Sequence, residues 1–236
     1  MTVAKPPDHR PARSYPLPAN EARRLEALRL ARILDTAAEK AFDDLVQLAA
    51  AVCETPIAIV SLVDESRQWF KARVGLGAPE TPREVAFCTH AIMGSDVMVV
   101  GDATQDPRFA NNPLVTGAPS IRFYAGAPIL LDGDAAIGTV CVIDSKPRSL
   151  TPMQKNSLSL LRQLAGDLIE FRRARVDLEA IGKLLPLCSW CRSVKTETGE
   201  WVDLHRYVAK AIPITHSMCP TCMQRELQAD GPSRQA

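Results

Sequence analysis

Hydrophobic residues are spaced as in helices over the first part of the chain and as in strands after residue 56. An apolar pattern of helical period extends from Asn20, which can cap a helix, as far as Asp35. A second apolar stripe that includes Phe42 follows and stops at Glu54-Thr55-Pro56, because the residue before a proline disfavours helical geometry. The pattern predicts two successive helices.

Two pairs of short runs with strand-like patterns, the first of them rich in β-branched residues, then predict two hairpins. The first pair spans residues 57–63 and 68–74, and the second spans residues 123–131 and 136–143 around the turn Asp132-Gly133-Asp134. Between the hairpins, the sequence predicts a short helix at 87–93, a strand at 97–100 and an irregular segment at 102–120. Because that segment is too long for an ordinary connection, we expect it to cover a site.

A long helix is predicted to begin at Thr151-Pro152-Met153-Gln154, which has a capping residue, a proline at the first helical position and a glutamine three residues on. Its apolar heptad positions are occupied by Leu161, Leu164, Leu168, Phe171, Leu178 and Leu185. A helix of about 30 residues rises roughly 45 Å, more than a small domain is wide. We therefore predict a coiled-coil homodimer over 171–185, with a plain linker as the alternative, while 158–169 pack on the chain's own sheet.

Length and charge restrict the possible partners. A chain of 236 residues has room for one medium domain and a small appendage, and its net charge of +1 favours neither nucleic acid nor an acidic membrane as a partner. The first 19 residues lack a signal-peptide core, so we expect a disordered leader there and a disordered tail at 229–236. Seven cysteines without a secretory signal favour a reducing, cytoplasmic location.

Two Cys-x-x-Cys pairs, Cys188 with Cys191 and Cys219 with Cys222, predict a metal site near the C-terminus. Two such pairs supply the four thiolates of a closed tetrahedral site, and we predict structural Zn²⁺ in a module spanning 186–228. This stretch is too short for a self-sufficient core. The alternatives are a dithiol/disulfide switch and an iron–sulfur cluster. His216 is either a competing ligand or a hydrogen-bond donor to a ligand sulfur, and we favour the second.

The large apolar residues of this module are expected to pack around the two metal-binding turns. They are Trp190, Trp201, Tyr207, Val208 and Ile212.

Five motifs occur in an order that resembles a GAF domain of the bacterial signalling kind. They are Ile57-Ala58-Ile59-Val60-Ser61-Leu62-Val63-Asp64, Gln68-Trp69-Phe70-Lys71-Ala72, Phe87-Cys88-Thr89-His90-Ala91-Ile92, Val100-Gly101-Asp102-Ala103 and Gly138-Thr139-Val140-Cys141-Val142-Ile143-Asp144. The resemblance covers 20–173 and implies an α+β fold. It further implies a central antiparallel sheet with helices on one face, a small-molecule pocket on the other, and a long exit helix whose 174–185 part is a helical linker. The C-terminal module is similar to a short cysteine-rich, zinc-ribbon-like tail found after sensor domains.

By position in such a fold, nine residues would line or border the pocket. They are Trp69, Phe70, Phe87, Cys88, His90, Asp102, Asp106, Phe109 and Tyr124. The alternative is that the aromatic residues among them are ordinary core, since strand aromatics pack wherever a sheet is covered. The cyclic-nucleotide binders of this family carry an Asn-Lys-Phe-Asp-Glu signature that the chain lacks. A cyclic nucleotide is therefore disfavoured as the ligand.

Cys88 also suggests thiol chemistry, because it lies near a cysteine position of the related free methionine sulfoxide reductase. A resolving cysteine is missing between Asp102 and Tyr124, where one would be wanted, and Cys53 and Cys141 have the sequence context of buried helix and strand thiols. A bilin attachment site is disfavoured because Thr89 separates Cys88 from His90.

The sequence therefore favours a non-catalytic sensor or adaptor. A small-molecule or redox input to the pocket would be relayed through the exit helix to a protein partner such as a kinase or another signalling protein. A thiol-dependent enzyme that uses Cys88 is the alternative.

Overall fold

The computed structural model describes residues 15–182, 186–196, 198–211 and 220–223. The chain divides into two compact units, Met1–Asp177 and Leu178–Ala236. Their boundary falls within the stretch predicted to be a helical linker. None of the helices in the described ranges is both long and apolar enough to cross a membrane.

The first unit is built on one antiparallel sheet of six strands. Its helices are α1 (Glu21–Leu30), α2 (Lys40–Cys53), α3 (Phe87–Ala91), α4 (Pro113–Thr116) and the part of α5 (Pro152–Gly182) that precedes residue 178. Its strands are β1 (Ile57–Val63), β2 (Arg67–Val74), β3 (Glu80–Pro82), β4 (Met98–Val100), β5 (Phe123–Leu131) and β6 (Ala135–Asp144), in the spatial order β3-β2-β1-β6-β5-β4. The α+β fold and the antiparallel sheet are as predicted.

The sheet separates two hydrophobic clusters because alternate side chains of a strand point to opposite faces. On one face, β1 presents Ala58, Val60 and Leu62 to a cluster that also contains buried residues of α1, α2 and α5. On the other face, Ile59 and Val63 join a cluster with α3 and the segment between β4 and β5. Strand β1 is therefore apolar on both faces, which explains its nearly uninterrupted hydrophobic sequence.

A β-bulge at Lys71 preserves this two-sided arrangement along β2. The register steps from Val60 opposite Ala72 to Ser61 opposite Phe70, so Lys71 is the extra residue. Its buried ammonium group donates hydrogen bonds to the carboxylate of Glu39 at 2.7 Å and to the carbonyl of Ala37 at 2.7 Å. The bulge places a lysine in the core only because these acceptors are available.

The start of α5 is the capping box that the sequence predicted. The backbone N–H of Gln154 donates to the Thr151 hydroxyl at 3.2 Å, and the backbone N–H of Thr151 donates to the Gln154 side chain at 3.0 Å. The first half of α5 packs on the sheet through Leu158, Leu161, Ala165 and Ile169. Leu164, Phe171 and Leu178, which are seven residues apart, are exposed by 51%, 70% and 68%.

Two elements differ from the pattern. Helix α1 ends at Leu30 rather than near Asp35, because Arg32 and Asp35 have positive φ angles of 48° and 58°, which end helical geometry. The turn-rich stretch after β2 contains β3, a three-residue edge strand too short to show a periodic pattern.

Tyr15, which was expected in a disordered leader, donates a hydrogen bond to the Glu65 carbonyl at 3.3 Å.

The second unit contains the strands β7 (Val194–Lys195) and β8 (Trp201–Val202), which pair as a hairpin, and α6 (Leu204–Ala211). Val194 is buried, whereas Trp190 is 96% exposed and Trp201 is 53% exposed. The two tryptophans were expected to pack around the metal-binding turns, and this packing is not seen for Trp190. Ile212 and the predicted tail at 229–236 lie outside the described residues.

A buried ionic cluster joins α1 to the ends of the strands. The guanidinium of Arg24 binds both carboxylate oxygens of Glu21 at 2.8 Å, and the fully buried Arg83 binds the same carboxylate at 2.6 Å. Although partial burial opposes ionisation, hydrogen bonds from these two cations lower the pKa of Glu21 to about 2. One carboxylate therefore neutralises two buried guanidinium groups.

We expect Glu21→Gln to destabilise the first unit by about 3 kcal/mol in urea unfolding, because it leaves two buried cations without an anion. The pKa of Glu21 is lower in the folded chain than in the unfolded chain. Its contribution is therefore complete above its ordinary pKa of about 4.5 and is lost as the pH falls towards 2. The variant should lose this part of the acid sensitivity.

Asp44→Asn provides the control, since Asp44 pairs with Lys40 at 2.7 Å on an exposed surface of α2. Its loss should change the free energy of unfolding by less than about 1 kcal/mol. Equal effects of the two substitutions would contradict a structural role for the buried cluster.

Candidate ligand cavity and cysteine cluster

The face of the sheet away from α1, α2 and α5 encloses a cavity of about 310 Å³. Strands β1, β2, β5 and β6 form its floor, and α3, α4 and the loops beside them form its walls. The lining residues are Ile57, Ile59, Gln68, Phe70, Leu76, Ala78, Thr81, Ala86, Phe87, Cys88, Leu114, Ala118, Pro119, Ile121, Tyr124 and Ile143. Its volume lies at the lower end of the range found for small-molecule sites.

Two polar groups in the cavity wall have no hydrogen-bond partner among the described residues. They are the side-chain carbonyl oxygen of Gln68 and the hydroxyl of Thr81, and both atoms are buried. The two residues lie opposite each other where β2 pairs with β3, so the groups belong to one part of the wall. Because a buried polar atom without a partner is costly, this pair favours a ligand with a hydrogen-bond donor.

No Asp, Glu, Lys, Arg or His side chain is among the described residues that line the cavity. A charged ligand would therefore lose its hydration without gaining an ion pair, which is unfavourable. The arrangement is suited to a small, uncharged and largely apolar molecule.

The irregular segment between β4 and β5 covers the cavity, as its length suggested. It contributes Leu114, Ala118 and Pro119 to the lining. Asn112 holds this cover in place, because its side-chain oxygen accepts from the Leu114 N–H at 2.9 Å while its amide donates to the Val85 carbonyl at 3.0 Å. The cover is thus hydrogen-bonded to the turn that precedes α3.

Several aromatic side chains pack together next to the cavity wall. The ring of Phe109 stacks on that of Phe87 with centroids 4.0 Å apart, and Phe87 in turn lies 5.2 Å from Tyr124. The edge of His90 contacts Phe109 at 4.8 Å between ring centroids. Phe109 therefore positions a lining residue and is not itself in the lining.

A cluster of sulfur and hydroxyl groups lies at the base of the cavity. The sulfur of Cys88 is 3.8 Å from the sulfur of Cys141, and it accepts hydrogen bonds from the hydroxyls of Tyr124 at 3.2 Å and Thr139 at 3.1 Å. All four residues are buried. Cys88 belongs to the cavity lining, whereas Cys141 lies behind it on the central strand β6.

The two thiols of this cluster have different acidities. Burial opposes ionisation of Cys88, but hydrogen bonds from its neighbours outweigh this and lower its pKa to about 7. The pKa of Cys141 is raised well above its ordinary value by its contact with Cys88 and by burial. Cys88 is therefore the thiol of the pair that ionises more readily.

Gly126 makes this arrangement possible, and sequence reasoning did not identify it. A Cβ at Gly126 would lie 2.1 Å from the hydroxyl oxygen of Tyr124. Because glycine has no side chain, the Tyr124 ring can lie along β5 with its hydroxyl at Cys88. Gly126 lies opposite Cys141 in the sheet. In the sequence, the signal for this close approach is a glycine within an otherwise apolar strand.

The structure brings four of the nine predicted pocket residues into the lining, namely Phe70, Phe87, Cys88 and Tyr124. Trp69 packs instead against the hydrophobic cluster that contains buried residues of α1, α2 and α5, because neighbouring strand residues face opposite sides of the sheet. Asp102 and Asp106 accept backbone hydrogen bonds from Thr104 and Arg108 at 3.0 Å, so both stabilise turns of the covering segment. Together with His90 and Phe109, they lie outside the lining. Whether any of these residues binds a ligand stays a prediction.

The cysteine pairs of the second unit are described in part. The Cys188 N–H donates to the Ser193 carbonyl at 2.8 Å, and the Arg192 N–H donates to the Cys188 carbonyl at 2.9 Å, which forms a tight turn containing Cys191. Hydrogen bonds from Ser193 lower the pKa of Cys191 to about 7. Cys222 is exposed, and Cys219 and His216 lie outside the described residues. Within the described ranges, no three metal-ligating side chains form a group.

Comparison with known proteins identifies the family. The model of the GAF domain family matches residues 37–170, which is more than half of the chain. The chain therefore belongs to the GAF domain family, and its fold and sensor-type signalling character are those of that class.

One protein with a similar sequence is much longer than this chain. The chain is 41% identical over 150 residues to a cyclic di-GMP phosphodiesterase of Pseudomonas aeruginosa, a match that covers 64% of this chain and 25% of that protein. The chain thus spans about a quarter of the relative's length.

Two solved GAF domains from phosphoenolpyruvate-protein phosphotransferases share the fold. The domain from Acinetobacter has a TM-score of 0.50 at 17% identity and covers 67% of this chain and 97% of that one. The domain from Coxiella burnetii has a TM-score of 0.51 at 13% identity and covers 65% and 98%.

Proposed function

We propose that the chain is a non-catalytic sensor whose cavity binds a small uncharged molecule and whose α5 helix passes the change to a protein partner. The observation that carries this proposal is the apolar cavity with its unpartnered Gln68 and Thr81 acceptors. A hydrogen bond to one of these groups would fix the orientation of an otherwise apolar ligand, as in most small-molecule sites.

The proposal does not include the activity for which the phosphodiesterase relative is named. The shared 150 residues are a quarter of that protein, and this chain carries a GAF domain at 37–170. We infer that the two proteins have a sensory part in common. A phosphate-bearing ligand would also require cationic groups, which the described cavity lining does not contain.

A thiol-dependent reductase is the second candidate, because Cys141 supplies the second thiol that the sequence alone did not reveal. Free methionine sulfoxide, however, carries both an ammonium and a carboxylate group. The described lining has no side chain of opposite charge for either. We therefore expect no sulfoxide turnover, and turnover that is lost in Cys88→Ser would favour the reductase.

The sheet provides the physical connection between cavity and helix. Strands β5 and β6 line the cavity with one face, and residues on their other face belong to the same hydrophobic cluster as the buried residues of α5. Helix α5 lies against β5, because a Cβ at Gly166 would be in ordinary van der Waals contact with the Leu130 carbonyl oxygen and Arg162 donates to the Pro128 carbonyl at 3.2 Å. A ligand that shifts these strands therefore also shifts α5.

We propose that α5 pairs with α5 of a second copy through the stripe formed by Leu164, Phe171 and Leu178. Residues seven apart lie on nearly the same side of a helix, and their exposure leaves a narrow apolar seam of the kind that coiled coils bury. A dimer would convert a small shift of each sheet into a change between two helices, which a kinase or another signalling partner can detect.

We also propose that Cys188, Cys191, Cys219 and Cys222 bind structural Zn²⁺. The hydrogen-bonded turn around Cys191 supports this, because zinc pairs of the Cys-x-x-Cys type are held by such turns. Val194 is the only side chain classed as buried among the described residues of 186–223. An apolar core that small does not stabilise a separate unit, and a bound metal would.

The cavity should bind indole in preference to indene, because the two have similar shape but only indole can donate a hydrogen bond to Gln68 or Thr81. Indole-3-acetate, which carries a charge, should bind more weakly than either. We expect about a fivefold preference for indole, measured by calorimetry or NMR titration, from one additional hydrogen bond.

Gln68→Leu combined with Thr81→Val should abolish the preference for indole while leaving indene binding intact, because both acceptors are then removed. Ala78→Trp at the cavity wall should prevent binding of both without affecting the core, because Ala78 is exposed. Binding that is unchanged in both variants would place the site elsewhere and contradict the proposal.

Replacing both Leu164 and Phe171 with Glu should raise the dimer dissociation constant by at least about a hundredfold in sedimentation experiments, since four apolar side chains leave the seam and charges enter it. Leu48→Glu is the matched control, because Leu48 on α2 is also 51% exposed but lies off the stripe. A wild-type monomer, or a dimer equally sensitive to both changes, would refute α5 pairing.

The purified chain should contain about one zinc ion by atomic emission, and chelation should abolish a separate thermal transition of the second unit. Cys188→Ser should lose the metal, whereas Cys53→Ala should retain it because Cys53 is buried in the helix-side core of the first unit. Full ordering of the second unit after complete chelation would argue against a structural metal.

A further inference from the structure

We propose that Cys88 and Cys141 form a dithiol that hydrogen peroxide converts into an intramolecular disulfide. The inference does not depend on whether the cavity binds a ligand. It rests on the position of the two sulfur atoms, on the hydroxyl groups around them and on the access that the cavity gives to one of them.

The geometry places two thiols from distant parts of the chain side by side. Cys88 lies on α3 and Cys141 lies on β6, 53 residues later, with their sulfur atoms 3.8 Å apart. A disulfide requires a sulfur separation of about 2.05 Å, so the atoms must approach by less than about 2 Å. In the first unit, the third cysteine, Cys53, belongs to the cluster on the other face of the sheet.

The environment distinguishes the roles of the two thiols. Cys88 faces the cavity and receives hydrogen bonds from Tyr124 and Thr139, which stabilise a thiolate. Cys141 is fully buried behind it and stays protonated. Cys88 therefore meets the oxidant first, and Cys141 resolves the product.

Oxidation of the pair takes two steps. The Cys88 sulfur attacks one oxygen of hydrogen peroxide, the O–O bond breaks, and the products are a Cys88 sulfenic acid and water. The Cys141 sulfur then attacks the sulfenic sulfur, the S–S bond forms, the S–O bond breaks, and a second water leaves with the Cys141 proton. Peroxide is reduced by two electrons, which the two thiols supply.

The disulfide would link the cavity wall to its floor. Helix α3 carries Phe87 as well as Cys88 into the lining, and the opposite face of β6 belongs to the same hydrophobic cluster as the buried residues of α5. Oxidation therefore connects the same elements that a ligand would move. A redox input and a ligand input would act on one structural path.

The test is to treat the reduced full-length chain with hydrogen peroxide and map its cysteines by mass spectrometry after alkylation. We expect a linked peptide pair that contains Cys88 and Cys141. In Cys141→Ser, dimedone should trap the Cys88 sulfenic acid, and in Cys88→Ser, Cys141 should give no adduct. Cys53 serves as the internal control, because burial raises its pKa to about 11 and keeps its thiol unreactive.

Tyr124→Phe should slow oxidation of Cys88 about tenfold near neutral pH and move the pH midpoint of its alkylation upward, because one thiolate hydrogen bond is lost. A purely structural role for Tyr124 would leave that midpoint unchanged. The proposal is overturned if Cys88 keeps its thiol in peroxide, if it links to a cysteine other than Cys141, or if Cys53 reacts equally fast.

Discussion

The backbone pairing of β1 with β6 and β5 with β6 determines what the rest of the molecule can do. Because strand side chains alternate between faces, this register assigns Val60 and Val140 to the helix side, and Ile59 and Cys141 to the cavity side. A shift of one residue would exchange the two sets. The separate helix core and the enclosed cavity both depend on this register.

The cavity and the cysteine cluster depend on two glycines at positions where a strand or a side chain comes too close for any larger residue. Gly138 lies so near β1 that any side chain there would overlap the Ser61 carbonyl, and Gly126 leaves space for the Tyr124 ring. These positions let the central strands pack tightly while a tyrosine hydroxyl reaches Cys88. An apolar cavity thereby contains one thiol at its base and two hydrogen-bond acceptors on its wall.

A sensor needs an element that responds to its site without being part of it. Strands β5 and β6 meet this requirement, because one face of each lines the cavity and the other belongs to the hydrophobic cluster that includes α5. The exposed stripe on α5 then requires a covering surface, and a second copy of the same helix has the matching spacing. Ligand binding, thiol oxidation and dimerisation would thus be coupled through one sheet.

The sequence by itself determined the fold class, most element bounds, the capping box at Thr151 and the segment that covers the cavity, because periodicity and capping are local properties. It did not separate Phe70, in the lining, from Trp69, on the opposite face, since both belong to one apolar run. Only tertiary structure placed Cys141 beside Cys88 and left Gln68 and Thr81 unpartnered. Contacts between residues distant in sequence depend on strand register and a bulge, which no local pattern specifies.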